Sequence, residues 1–148
     1  MLSMQEMSDR LEIQDLFVTY SHAIDQRDWD ALDQVFTSDA FIDYTATGSV
    51  RGSLPEIKPF LHQSLAQFSS FQHLVGTSKI AIKGDSAESR TILFNPLVLQ
   101  HEGAPHVFFC GCWYRDKLVR TNAGWRIQER VQEPSYYHNV PSWFKPDF

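Results

Sequence analysis

Cysteine is nearly absent from this chain: its 148 residues include two, Cys110 and Cys112. At i and i+2 on a strand they would share one face as neighbours along a single chain. That spacing is poor for a disulfide, so they read as two small buried hydrophobes, and a disulfide-stapled fold is excluded. A reducing cytoplasm is the expected setting. Long apolar runs are missing as well. The opening MLSMQEMSDR has no apolar core of a secretory signal, and no stretch approaches the roughly 20 residues of a membrane span. Positive charge is in deficit: 13 Lys and Arg stand against 18 Asp and Glu, a net charge of -5. Nucleic acid and anionic membranes are therefore not expected partners. Nucleophile-elbow, P-loop, dinucleotide-binding and zinc-protease signatures are all missing. The six histidines, His22, His62, His73, His101, His106 and His138, show no tight ligand spacing, so no metal site is expected.

What is abundant is apolar and aromatic surface. Hydrophobic residues make up 43% of the chain and aromatics 14%. That is more aromatic area than a small core needs, and it suits a lined pocket or an oligomer interface. The length fits a single domain, residues 1–148. After a polar start over 1–10, Ile13, Leu16, Phe17, Tyr20 and Ile24 fall at helical spacing and predict a first helix to about residue 24. Asp28 is placed to cap a second, short helix carrying Trp29, Leu32, Val35 and Phe36. Residues 40–44 read as a short strand. Ser53-x-x-Glu56 has the form of a capping box, opening a third helix with Ile57, Phe60, Leu61, Leu65 and Phe68 inward. Pro59 should delay or bend that helix.

From residue 70 the hydrophobic period becomes two. Four runs, about 71–83, 86–101, 105–120 and 124–134, are separated by Lys83-Gly84-Asp85, Glu102-Gly103-Ala104 and Asn122-Ala123-Gly124. These separators read as hairpin connections between antiparallel neighbours. Strands this long twist and coil into a concave face. The expected fold class is α+β: a cone-shaped, curved, mixed or antiparallel sheet with about three N-terminal helices enclosing an apolar pocket, a cystatin-like α+β barrel. The Pro- and aromatic-rich tail 135–148 is expected to pack on the pocket mouth or on a neighbouring subunit.

Two polar residues stand out against apolar surroundings. Asp25 ends the stripe of the first helix, and His73 lies early in the first long strand. In the cone both face the cavity. A buried carboxylate needs a partner, and imidazole is a natural one. The carboxylate would hold one ring nitrogen as N–H, leaving the other to accept a proton from substrate. Spacing alone leaves a second reading open, in which Asp25 caps a helix terminus and His73 is a core histidine. Tyr20 and Tyr44 are candidate hydroxyl donors to a substrate oxygen, or core-filling aromatics. Arg130, on the opposite strand parity to Trp125 and Ile127, would bind an anionic or carbonyl group if inward, or pair with Asp116 or Glu129 if not. Asn95 and Trp113 are further candidates to line the pocket.

The residues that carry these expectations also resemble a known family. Residues 20–32 (YSHAIDQRDWDAL) and 36–40 (FTSDA) resemble the opening of SnoaL-like proteins, in the nuclear transport factor 2-like superfamily. The similarity continues through Gly52, His73-Leu74-Val75, Gly84-Asp85-Ser86-Ala87, Tyr114-Arg115-Asp116 and residues 120–127. The resemblance implies an α+β cone that assembles as a homo-oligomer, dimer or trimer, through its outer sheet face. Within the superfamily the chain looks most like the lyase branch of scytalone dehydratase, bile-acid 7α-dehydratase and hexachlorocyclohexane dehydrochlorinase. Those enzymes use a His–Asp dyad with no metal or organic cofactor, and Asp25 and His73 stand where the dyad would stand. Tyr20 matches a tyrosine of the bile-acid enzyme, Tyr44 a substrate-holding tyrosine of scytalone dehydratase, and Arg130 an active-site arginine. Where scytalone dehydratase has a second catalytic histidine, this chain has Asn95-Pro96-Leu97.

The expected function is therefore a cofactor-independent lyase of dehydratase type, or an isomerase, taking a proton from a small hydrophobic, cyclic or aromatic substrate. Fold membership does not by itself settle activity. A non-catalytic binding or assembly subunit, and a polyketide cyclase or hydrolase, are the competing readings on the same scaffold.

Overall fold

In a computed structural model, which describes residues 1–144, helix α1 runs from Met4 to Asp25. It starts inside the polar head because Ser3 and Glu6 form a reciprocal capping box. It ends in a Schellman pattern. Arg27 takes a left-handed φ of 58°, and the N–H groups of Arg27 and Asp28 return to the carbonyls of Ile24 and Ala23. Asp25 is thus the last helical residue.

The second expected helix is a single 3-10 turn, Asp30–Gln34, with the Asp28 carboxylate accepting from the Ala31 N–H. The chain cannot stay helical beyond it, because Phe36 begins strand β1 (Phe36–Asp43), which pairs in parallel with the last strand. A short strand β2 (Arg51–Ser53) leads into helix α2 (Leu54–Leu65), opened by the Ser53–Glu56 capping box. Pro59 neither delays nor stops α2 and sits in its interior. Among the described residues two α-helices therefore stand where about three were expected.

The sheet contains β3 (Ser70–Phe71), β4 (Leu74–Lys83), β5 (Ser86–His101), β6 (Ala104–Thr121) and β7 (Gly124–His138). Its order is β2-β1-β7-β6-β5-β3, with β4 also on β5. The hairpins β4–β5, β5–β6 and β6–β7 are antiparallel. Alternation along β5 is unbroken, placing Ala87, Thr91, Leu93, Asn95, Leu97 and Leu99 on the inner face.

Strand β7 is bulged twice. Leu118 pairs with Ile127 but Lys117 with Glu129, leaving Gln128 extra; Cys112 pairs with Pro134 but Gly111 with Tyr136, leaving Ser135 extra. Each bulge reverses side-chain parity and tightens the curl. The first brings Arg130 to the same side as Trp125 and Ile127. The second turns Tyr137 inward and Tyr136 outward. Helix α1 lays Ile13, Leu16, Phe17, Tyr20, Ala23 and Ile24 on this concave face, all buried. Among the described residues no helix is long and apolar enough to cross a membrane.

Candidate active site

The position of His73 follows from a local failure of the sheet. The expected run 71–83 is split, since residues 72 and 73 belong to neither β3 nor β4. The register on both sides sets Gln72 opposite Pro96 and His73 opposite Asn95. Gln72 donates its N–H to the Pro96 carbonyl at 3.1 Å. Pro96 has no N–H to return. The Asn95 side chain supplies the missing donor, its Nδ2 lying 2.8 Å from the Gln72 carbonyl. His73, in the next pair, points its N–H away from β5 toward the open edge.

The end of α1 receives it. The His73 backbone nitrogen lies 3.0 Å from both carboxylate oxygens of Asp25, and its Nδ1 lies 2.8 Å from Oδ1. Asp25 therefore does not cap the free carbonyls of its own helix, and two of its three hydrogen bonds go to the His73 backbone. The free groups at a helix C-terminus are carbonyls, which need donors, and a carboxylate only accepts. The helix dipole also disfavours an anion there. Asp25 is held at that end by His73. His73 lines the cavity and Asp25 does not, contrary to the expectation that both face it; with side chains 8% and 25% exposed, the carboxylate lies on the solvent side of the imidazole.

His73 is one wall of a cavity of about 450 Å³, within the range of small-molecule sites. Ile24, Phe60, Leu61, Leu65, Phe68, Leu97 and Phe108 make most of its surface apolar. The tail contributes Val140 and Phe144, with Phe144 packed on Phe68 and Phe108 at ring distances of 5.9 and 5.6 Å. Residues 135–138 belong to β7, and residues 145–148, including Pro146, lie outside the described residues.

The polar lining includes a cluster of phenols. The Tyr20 hydroxyl lies 2.9 Å from that of Tyr44 and 3.4 Å from that of Tyr114, and all three residues are almost fully buried. Burial, with the neighbouring Tyr20 adding to it, pushes the Tyr44 and Tyr114 hydroxyls well above the usual phenol range. They stay protonated and able to donate.

Arg130 lies behind this cluster and is not part of the cavity surface. Its Nε and Nη2 meet the two oxygens of Asp116 at 2.8 Å each, in a direct cross-strand pair. Its guanidinium lies 4.2 Å from the Tyr20 ring centre and 4.0 Å from that of Tyr114, while Nη1 has no hydrogen-bond partner among the described residues. The cation is thus buried against the backs of two phenols that face the cavity.

Asn95 lines the cavity and braces the His73 turn. Trp113 does not line it: Cys112 and Tyr114 occupy the inner face, so Trp113 alternates outward and lies beneath Arg90, 4.1 Å from its ring centre. Tyr114 and Gln132 are lining residues that were not singled out as site candidates. For Tyr114 the signal was available, because it shares strand parity with the two cysteines. For Gln132 it was hidden by the bulge at Gln128.

A helix-backed, curled sheet thus encloses an apolar cavity, with His73 of the His–carboxylate pair at one wall and buried phenols at another. The chain belongs to the SnoaL-like domain family, which matches residues 5–131. It is 52% identical over 132 residues to the uncharacterised protein Rv2910c of Mycobacterium tuberculosis, covering 89% of each chain. Among solved structures it resembles a Novosphingobium aromaticivorans protein assigned as a scytalone dehydratase (TM-score 0.78, 16% identity, 91% of this chain and 89% of that one). It also resembles the hexachlorocyclohexane dehydrochlorinase LinA-type3 of Novosphingobium barchaimii (TM-score 0.77, 17% identity, 95% and 96%). At these identities the likeness is one of fold.

Proposed function

We propose that this protein is a lyase of dehydratase or dehydrohalogenase type, or an isomerase, that takes a proton from a carbon atom of a small, uncharged, hydrophobic ring compound. The observation that carries the proposal is the 2.8 Å contact between His73 Nδ1 and Asp25 Oδ1 at the wall of an apolar cavity. Asp25 holds Nδ1 as the N–H, which leaves the lone pair of Nε2 for the substrate proton. As the imidazolium forms, the adjacent carboxylate stabilises it. The Tyr20, Tyr44 and Tyr114 hydroxyls then donate to the oxygen or leaving group on which negative charge collects. Arg130 strengthens those donors from behind their rings, and Asn95 keeps the His73 turn in place. The apolar remainder of the cavity excludes water and makes each polar contact count for more.

Two solved neighbours are named for eliminations, of water and of hydrogen chloride, and elimination of either kind removes a proton from carbon. The family resemblance implies that the dyad works without a metal or organic cofactor. Among the described residues no arginine or lysine lines the cavity, which favours uncharged substrates over carboxylates or phosphates. A homo-oligomer built on the outer sheet face belongs to the same proposal, and light scattering on the purified protein reads it directly.

The test begins with a library of small hydrophobic ring compounds, scored by the rise in melting temperature that a cavity ligand produces. Compounds that bind are then incubated in deuterated water. Exchange or elimination at a carbon position that disappears in His73→Ala and in Asp25→Asn supports the assignment. Full turnover by both folded variants rejects it.

A further inference from the structure

Cys110 and Cys112 have no part in that proton transfer and pack in the buried core as expected, but their sulfurs also meet. Both lie on the inner face of β6, 7% and 2% exposed, and their sulfurs approach to 3.1 Å. Ordinary non-bonded contacts between heavy atoms lie at roughly 3.5–4.0 Å. A regular strand holds residues i and i+2 at the outer limit of disulfide reach. Two local features loosen that limit. The residue between is Gly111, seated under the Tyr136 ring where a Cβ would collide with it. Opposite the pair, β7 carries its bulge at Ser135, so the ladder is already interrupted beside Cys112.

The two thiols are also unequal. Cys110 lines the cavity with Tyr137, and Cys112 does not. The contact between the two sulfurs, helped by Tyr137, lowers the Cys110 thiol, and the same contact together with burial pushes Cys112 up. The thiol that an entering molecule meets is Cys110, with Cys112 behind it to resolve the oxidised sulfur.

We infer that Cys110-Gly111-Cys112 is an oxidisable dithiol in the cavity wall, converted to an intrachain disulfide by hydroperoxides that enter the cavity. The Cys110 thiolate attacks the terminal oxygen of ROOH. The O–O bond breaks, leaving a sulfenic acid on Cys110 and an alkoxide that takes up the Cys110 proton as ROH. The Cys112 sulfur then attacks the Cys110 sulfur. The S–O bond breaks, and hydroxide leaves with the Cys112 proton as water. Two thiols are oxidised, and the hydroperoxide is reduced to an alcohol and water. Closure draws Cys110 out of the cavity wall beside Tyr137. The inference goes beyond the proton-transfer reading and stands without it.

The test treats the reduced full chain with cumene hydroperoxide and follows intact mass and non-reducing peptide maps. The expected result is loss of two hydrogens, one peptide linking both cysteines, and reversal by dithiothreitol. Cys112→Ser should stop at a single added oxygen on Cys110, trapped by dimedone, whereas Cys110→Ser should leave Cys112 unoxidised. Two alkylatable thiols persisting in the treated wild-type protein overturn the inference, as do stable sulfinic acid on Cys110 or disulfide-linked dimers. The wild-type measurement does not depend on any variant folding.

Discussion

The two oxygens of Asp25 serve a single residue three times over: both lie 3.0 Å from the His73 backbone nitrogen, and Oδ1 lies 2.8 Å from Nδ1. One carboxylate thus fixes the end of a helix, the edge of a sheet and the orientation of an imidazole. Asp25→Asn keeps an acceptor but loses the charge. It should unfold near the wild-type temperature and lower turnover by about 100-fold or more, the scale of positioned acid–base catalysis. Asp25→Ala should also cost stability, roughly 1.5–3 kcal/mol for hydrogen bonds to a charged group. Urea titration of the two variants separates the structural from the chemical role.

Removal of one hydroxyl from the phenol cluster should act on chemistry more than on folding. Tyr20→Phe, Tyr44→Phe and Tyr114→Phe each keep their ring packing, and each should reduce turnover by about 10- to 1,000-fold, up to the scale of a lost oxyanion donor. Tyr20 should be the most sensitive, because its hydroxyl contacts the other two.

The same cluster sets an alkaline limit. Burial raises the Tyr44 and Tyr114 hydroxyls well above the ordinary phenol value. A raised folded-state pKa contributes stability that is fully present below the unfolded value, about 10 for tyrosine, and is lost as pH rises past it. The phenolate absorbance of these two residues should therefore appear together with unfolding and not before it. A phenolate signal from Tyr44 or Tyr114 in the folded protein would contradict this.

Asp116 and Arg130 form a pair whose side chains are 0% and 1% exposed. Asp116→Ala should cost about 3–5 kcal/mol, because it leaves a buried guanidinium without its counter-ion. The double replacement Asp116→Leu with Arg130→Met should recover much of that loss and still impair turnover, since the charge behind the phenols is gone. Urea unfolding and turnover measured side by side distinguish the two effects.

Much of the frame was legible because local rules agreed. The unbroken alternation of β5 and β6 and the glycine-containing connections gave their limits almost to the residue. The contact between Asp25 and His73 was legible from polarity against apolar surroundings and from resemblance to a family. What stayed hidden depended on contacts distant in sequence. Phe36 leaves its helical stripe because β7 pairs with it, and no local signal announces a parallel partner. Arg130 turns inward because Gln128 is extruded, which no parity count across β7 can foresee. Trp113 was a different matter: once Cys110 and Cys112 are taken as inward, alternation alone sends it outward. The Ser3–Glu6 box would have extended α1 to include Asp9, which falls on one stripe with Ile13, Leu16 and Tyr20.

That buried Asp9 gives a prediction at acid pH. Hydrogen bonds from Arg120, then Trp125 and Gln5, hold its carboxyl far below the usual range against the opposing effect of burial. A depressed folded-state pKa contributes stability that is present above the unfolded value, about 3.9 for aspartate, and is lost as pH falls toward the folded one. Unfolding free energy should drop below about pH 4, and Asp9→Asn should make that acid limb shallower while lowering stability at neutral pH. An unchanged acid limb in Asp9→Asn would remove this residue from the account.

The tautomer of His73, read from long-range nitrogen–proton correlations in the NMR spectrum of the labelled protein at a pH where its ring is neutral, bears most directly on the proposed chemistry and needs no substrate. The proton should reside on Nδ1, facing Asp25, with Nε2 bare toward the cavity, and Asp25→Ala should shift the population toward the Nε2–H form. A neutral ring carrying its proton on Nε2 in the wild-type protein would mean that the nitrogen facing the cavity cannot accept one, and His73 would not be the base.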